Sequence, residues 1–115
     1  MRCESIVMDE LLNECSVLNS MIRKSKEYKT FVQTLNNIKA NEQLYNDLQE
    51  FRRRYDDVIR YTEGNPYDEI FRLYYENDDL LHESVVNEYL RAESAFSRLI
   101  RSMVTEITDG LELEI

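Results

Sequence analysis

The chain has 115 residues, a net charge of −9, and only two Gly and one Pro. Its length predicts one domain, residues 1–115. A composition of 43% hydrophobic and 32% charged residues argues against a disordered chain. The scarcity of Gly and Pro favours long helices with few connections. The acidic balance disfavours direct binding to nucleic acid or to an anionic membrane, because both repel a negative protein.

The N-terminal sequence does not resemble a signal peptide, since Met-Arg-Cys-Glu-Ser is followed by an interrupted, acidic pattern. No run approaches the roughly 18 apolar residues of a membrane-spanning helix. We therefore expect no membrane association and a cytoplasmic location. In a reducing cytoplasm Cys3 and Cys15 are expected to be free thiols rather than a disulfide.

Helices are predicted throughout the first half of the chain. The first runs from about Glu4 to Lys24, and Ser25 can cap a second helix through its hydroxyl group. The residues alone leave open whether Ser25 breaks the helix or only bends it. Asn41 is a plausible cap for a third helix, which ends at about Thr62. The third helix carries a regular apolar seam: Leu44, Leu48, Phe51, Tyr55, Val58 and Thr62.

The strongest break in the chain is Gly64-Asn65-Pro66. Gly64 can take the left-handed conformation that ends a helix, Asn65 can cap the next helix, and Pro66 suits its first turn. This fourth helix is expected to run to about Asn77 and to bury Ile70, Phe71 and Tyr74. Asp78 and Asp79 then form a short connection or a second cap.

The last predicted helix, Ser84–Thr108, has the longest apolar stripe and would be about 37 Å long. Gly110 ends it, and residues 111–115 are expected to be a frayed tail. The fold class is therefore all-α, a bundle of about five helices with helical hairpins, dimeric or higher. The stripe is predicted to be the subunit interface: Val85, Tyr89, Ala92, Phe96, Leu99, Ile100, Met103 and Ile107.

Catalytic chemistry is not apparent, so the sequence predicts a protein that is not an enzyme and has no cofactor. His82 is the only histidine, and a surface role is favoured over acid–base catalysis because no positioned partner is apparent. Arg52–Arg54 and Arg60 could contact RNA. Their alternation with Asp56 and Asp57 instead favours a solvated helix face.

A metal site would have to use Cys3 and Cys15, or gather His82 with cysteines or carboxylates. On one helix the two cysteines would lie about 18 Å apart along the axis and about 120° apart around it. They cannot bind one metal within a single chain. A metal or an iron–sulfur cluster would require cysteines from partner chains, and the simpler interpretation is a small apolar Cys15 and a terminal Cys3 thiol.

Three segments resemble the YlbF/YmcA family of small helical bacterial proteins. Residues 22–29 look like its "I-x-x-S-x-E-Y" segment. Asn41-Glu42 followed by Leu48-x-x-Phe51 is similar to its third-helix pattern. Residues 85–93 with Ile107 resemble its C-terminal helix, "V-x-x-Y-x-x-A-E…I". Together the segments span about residues 4–111.

The resemblance implies an all-α fold, self- or hetero-association and regulatory work. Some members of the family act with a third protein to modulate ribonuclease Y and mRNA maturation, affect competence, sporulation and biofilm formation, and are associated with iron–sulfur clusters. This chain has no cysteine in its C-terminal half. We expect a regulatory adaptor that forms a homodimer or homotetramer, with ribonuclease Y or related family members as possible partners. The alternatives are a protein that binds a metal or cluster through Cys3 and Cys15, and a purely structural oligomer.

Overall fold

The computed structural model describes residues 2–112, with side chains from Ser5 onward. This part of the chain contains six helices and no strand, so the all-α prediction is confirmed. Residues 113–115, most of the predicted tail, lie outside it. The helices are α1 (Arg2–Lys24), α2 (Lys26–Lys39), α3 (Glu42–Tyr61), α4 (Tyr67–Glu76), α5 (Asp78–Leu81) and α6 (Ser84–Thr108). The single turn α5 occupies the predicted connection at Asp78 and Asp79.

Two polar side chains set the starts of α2 and α3. Ser25 has an extended backbone, and its hydroxyl accepts a hydrogen bond from the Tyr28 amide at 3.2 Å. Asn41 accepts one from the Leu44 amide at 3.2 Å. Such caps satisfy amides that lack a partner within the helix. Both predicted caps are confirmed, and Ser25 is a true one-residue break between α1 and α2.

The turn at residues 62–66 differs in two respects from its prediction. Gly64 has the expected left-handed backbone, with φ of 78°, but α3 has already ended at Tyr61. Gly64 therefore reverses the loop rather than ending the helix. The helix α4 begins at Tyr67, so Pro66 is its N-cap residue rather than its first helical residue. The side chain of Asn65 still accepts a hydrogen bond from the Tyr67 amide at 3.0 Å and so satisfies the first amide of α4.

The core lies where α2 and α3 meet the first half of α6. Stacked rings join α2 to α6, with centroid distances of 5.8 Å for Phe31–Tyr89 and 5.4 Å for Phe31–Phe96. Burying a large apolar side chain stabilises a fold by roughly 1.5–3 kcal/mol. The buried apolar residues are Ile38, Leu48, Phe51, Leu73, Val86, Tyr89 and Ala92.

The face of α4 that packs inward was predicted wrongly. Leu73 is the buried residue at 4% exposure, whereas Phe71 is 68% exposed, Tyr74 is also exposed, and Ile70 is half-buried. Two residues correspond to about 200° around a helix, so burying Leu73 turns Phe71 outward. Tyr74 still contacts the core edge-on through Phe51, with ring centroids 5.4 Å apart.

The molecule is elongated, and much of its surface is not covered by its own chain. Its extents are 58 × 38 × 21 Å, so its smallest dimension is about two helix diameters. Its radius of gyration is 19.2 Å, against about 13 Å for a compact domain of this length. Its accessible surface is 9618 Å², nearly half as large again as the roughly 6,600 Å² expected for its mass.

Candidate protein-interaction surface

The first two helices together run antiparallel to α6. Tyr28 contacts Phe96, with ring centroids 5.4 Å apart, and Phe31 contacts Tyr89 farther along α2. The helix α1 continues in the same direction as α2. Together with α6 it lines a groove of about 220 Å³. Its apolar lining residues are Cys15, Leu18 and Ile22 from α1, and Ile100, Met103, Val104 and Ile107 from α6.

This register leaves the first half of α1 without a helix opposite it. Where α1 and α2 face α6, the numbers of two opposite residues add up to about 122. The last residue of α6, Thr108, therefore lies opposite about Glu14. Residues 2–13 extend beyond that end. Five large apolar side chains in this overhang are between 53% and 59% exposed: Ile6, Val7, Met8, Leu11 and Leu12.

We call the overhang, the groove residues and the neighbouring exposed Val17 and Met21 the α1–α6 surface. Leu18, Ile22, Ile100 and Met103 are only half-buried in it, and its other members from Ser5 onward are exposed. Monomeric proteins rarely expose a contiguous apolar area of this extent, and such areas mark contacts with other proteins or with membranes. None of the helices among residues 2–112 is long and apolar enough to cross a membrane.

The structure divides the eight residues that the sequence assigned to a subunit interface. Val85, Tyr89, Ala92 and Phe96 pack within the chain, and Tyr89 and Ala92 are each only 6% exposed. These four already have intrachain neighbours. The second group, Leu99, Ile100, Met103 and Ile107, lies beyond α2 on the second half of α6. Their contact with another subunit stays a prediction.

Sequence reasoning did not assign α1 to the interface, although a signal was present. Met8, Leu11, Cys15, Leu18 and Ile22 recur at steps of three and four, which is the spacing of a packing seam. The sequence could not show that this seam extends beyond the end of α6, because that depends on the register between α1 and α6.

A polar cluster joins α3 to α6 at the edge of the core. The Arg52 guanidinium donates two hydrogen bonds to the Glu93 carboxylate, at 2.7 and 3.0 Å, and the Tyr89 hydroxyl donates one at 3.1 Å. Arg52 also lies 5.4 Å from the Tyr89 ring centroid. Partial burial opposes the charge on Arg52, but Glu93 outweighs it and raises the pKa of the guanidinium. Burial, followed by the Glu93 charge, raises the pKa of Tyr89.

The arginines of the suggested basic patch are all paired with carboxylates. Arg53 contacts Glu50 at 2.6 Å and Asp57 at 3.0 Å. Arg54 contacts Glu76 at 3.1 Å, and Arg60 contacts Asp56 at 3.6 Å. Pairing of this kind cancels the local positive charge that binding to a phosphate backbone requires. The geometry therefore matches the solvated-face interpretation better than the RNA-binding one.

A second apolar area lies on α4 and α5. An open cavity of about 570 Å³ is lined by Phe71, Tyr74, Tyr75, Leu81 and Leu90, with His82 at its edge. The His82 ring nitrogen Nδ1 lies 2.8 Å from the Asp78 carbonyl oxygen and 3.2 Å from its carboxylate. The hydrogen bond to that carbonyl, followed by the carboxylate charge, raises the pKa of His82. Its surroundings are those of a surface helix end.

The described side chains do not fit a metal or iron–sulfur site within one chain. Cys15 is exposed on α1. No three histidine, cysteine or acidic side chains in the described part of the molecule are grouped so that they could hold a metal ion. The side chain of Cys3 lies outside that part, but its position on the same helix leaves it about 18 Å from Cys15 along the axis.

The comparison with protein families decides the classification. The family model described as "Control of competence regulator ComK, YlbF/YmcA" matches residues 11–112, most of the chain. This chain belongs to the YlbF/YmcA family. The resemblance found in the sequence is thereby confirmed. The YlbF/YmcA match covers the groove and part of the overhang. Neither a curated protein nor a solved structure matches this chain.

The residues that carried the YlbF/YmcA resemblance have visible roles in the fold. Ser25 caps α2, and Asn41 caps α3. Tyr89 and Glu93 form the polar cluster with Arg52, and the small Ala92 is buried on the same helix. The resemblance therefore rests on residues that build the subunit.

Proposed function

We propose that this protein is a non-enzymatic regulatory adaptor that acts through helix-mediated protein association. The observation that carries the proposal is the α1–α6 surface, which the chain leaves uncovered on an elongated, two-layered molecule. The family description supports a regulatory role, since it names control of the competence regulator ComK.

The chemistry of the polar cluster supports a non-enzymatic role. Arg52, Tyr89 and Glu93 satisfy one another in an ion pair and hydrogen bonds, and none of them lines the cavities described above. A catalytic group needs a reacting partner within hydrogen-bond reach in a site that a substrate can enter. The exposed side chains that the fold gathers together are instead mainly apolar, as in a surface for protein contacts.

The finer parts of the proposal come from the resemblance. We propose a homodimer or homotetramer in the cytoplasm that contacts ribonuclease Y or related family members. It would thereby act on mRNA processing in the control of competence, sporulation or biofilm formation. Direct binding to nucleic acid is not part of this proposal, since the exposed arginines of α3 are paired with acidic side chains.

An affinity pull-down from the native cell tests the partner. The tagged chain is compared with Leu11→Asp, which places a charge within the overhang, and with Asn46→Asp, which adds the same charge at an exposed polar position on α3. We expect ribonuclease Y with the wild type and with Asn46→Asp, and its loss with Leu11→Asp. Failure of the wild type to capture ribonuclease Y would rule out this partner. Equal capture by the wild type and both variants would show that the α1–α6 surface does not bind ribonuclease Y.

A further inference from the structure

The outer face of α1 carries a second stripe, turned by roughly 100° from the groove. Its members recur at steps of three and four, and all are exposed: Val7, Glu10, Glu14, Val17, Met21 and Lys24. This spacing is that of a seam between two helices. Because α2 and α6 lie elsewhere, none of the helices among residues 2–112 covers this face.

The charges on this outer face are divided by sign. Glu10 and Glu14 lie on the N-terminal side of Val17, and Lys24 lies on the C-terminal side. Among the described side chains, none of these three takes part in an ion pair. The face is therefore acidic toward one end and basic at the other.

Such a face is complementary to a second copy of itself in the antiparallel direction. A two-fold axis at Val17 brings Val17 opposite its copy. It also brings Glu10 opposite Lys24 twice, because each lies seven residues from Val17. A parallel arrangement would instead place like charges together. Two-fold homodimers are self-complementary in this way.

The exposed area calls for a partner, and the charge pattern of the outer face favours a second copy as that partner. The chain exposes far more surface than a compact protein of its mass, and stable protein interfaces bury about 1,200–2,000 Å² in total. Two chains that each carry −9 repel each other, so association requires local pairing of opposite charges at the contact. The outer face of α1 supplies this pairing through Glu10 and Lys24.

We propose that a second copy of this chain covers the outer face of α1, with the two α1 helices antiparallel and crossing near Val17. This inference rests on the proposed function, in which the protein associates through its helices. It adds the face that the second copy covers, the direction of the contact and the residues at its centre.

Charge reversal tests the pairing of Glu10 with Lys24. By analytical ultracentrifugation, we expect Glu10→Lys and Lys24→Glu each to weaken the dimer about tenfold, because each places like charges together twice. The double variant Glu10→Lys/Lys24→Glu should restore it. Asp9→Lys is the matched control: it makes the same charge change one residue away, on a side of α1 that belongs to neither stripe.

Cross-linking tests the direction. In a background of Cys3→Ser and Cys15→Ser, the Val17→Cys variant should form a disulfide-linked dimer rapidly under mild oxidation. The Val7→Cys variant should not, because antiparallel pairing separates the two Val7 positions by about 30 Å. A parallel pair would cross-link at both positions.

The outcomes separate this inference from the proposed function. A wild type that is monomeric at all concentrations would overturn this contact and the proposed homo-oligomer, whereas the pull-down tests the adaptor role separately. A stable oligomer in which Asp9→Lys and Glu10→Lys have equal effects, or in which Val7→Cys and Val17→Cys cross-link equally, would overturn the antiparallel contact and leave association standing.

Discussion

Arg52 illustrates what a residue's position along the chain can and cannot show. The sequence placed it in a basic run on one helix face, whereas the fold places it against Glu93, 41 residues away, and the ring of Tyr89. No local pattern in α3 specifies a partner on α6. The same limit applied to Arg54, whose carboxylate partner, Glu76, lies on α4.

Removal of the Glu93 carboxylate should cost more stability than removal of an exposed one. Glu93→Ala leaves Arg52 half-buried without its partner, and we expect the free energy of unfolding to fall by about 1–2 kcal/mol. Glu50→Ala, which removes an exposed partner of Arg53, should leave it nearly unchanged, because solvent screens an exposed pair. Urea unfolding followed by circular dichroism measures both, and equal losses would argue against a structural role for the cluster.

His82 gives a pH-dependent signal that can be read at a single residue. Because the folded state raises its pKa above 6.5, its contribution to stability is complete below that pH. The contribution is lost as the pH rises through the higher, folded-state pKa. Since His82 is the only histidine, an NMR titration has one imidazole to follow. Its midpoint should lie above that of the urea-unfolded chain and fall in Asp78→Asn. An equal or lower midpoint in the folded chain would contradict the contact with Asp78.

At the scale of elements, helix starts were predictable wherever a polar side chain caps them. Ser25 and Asn41 act locally, so a few residues of sequence contain the whole signal. The orientation of α4 was not predictable, because its apolar side chains cover a broad arc of about 200° around the helix. Only its contact with α3 selects Leu73 over Phe71.

The stripe on α6 was visible in the sequence, but its division into two parts was not. The spacing from Val85 to Ile107 is continuous, and nothing in it shows that α2 covers the first part and ends before the second. The half of the site on α1 was missed for the same reason. Which apolar stripes are covered within a chain depends on register and helix length together.

This division predicts that two substitutions on α6 differ in their effect on the stability of the fold. Phe96 lies 5.4 Å, between ring centroids, from both Tyr28 and Phe31, so Phe96→Asp buries a charge in the core. We expect it to lower the free energy of unfolding by at least about 3 kcal/mol. Ile107→Asp places the same charge on the exposed half and should leave the far-ultraviolet circular dichroism spectrum of the dilute chain unchanged.

Thermal unfolding at low concentration compares these two variants under conditions that minimise association. Val104→Asp is a second variant on the exposed half and should behave like Ile107→Asp. If Phe96→Asp unfolds no more easily than Ile107→Asp, the core does not extend along α6 as described.

At the scale of the whole molecule, three observations agree. The chain is elongated, it exposes about half again as much surface as its mass predicts, and much of the exposed apolar area is contiguous on α1 and α6. A small chain that buries few side chains is marginal alone and gains stability when a partner covers its apolar surface. Membership in a family described by regulatory control is in keeping with a protein that acts by contact.

The mass of the wild-type protein in solution tests this account most directly. Size-exclusion chromatography with multi-angle light scattering, over concentrations from about 1 to 100 μM, should give a mass of at least twice 13.8 kDa at the upper end. Val17→Asp and Leu11→Asp, both on α1, should shift the mass toward that of one chain. A wild-type mass of 13.8 kDa throughout the range would contradict the claim that the protein associates with itself through α1.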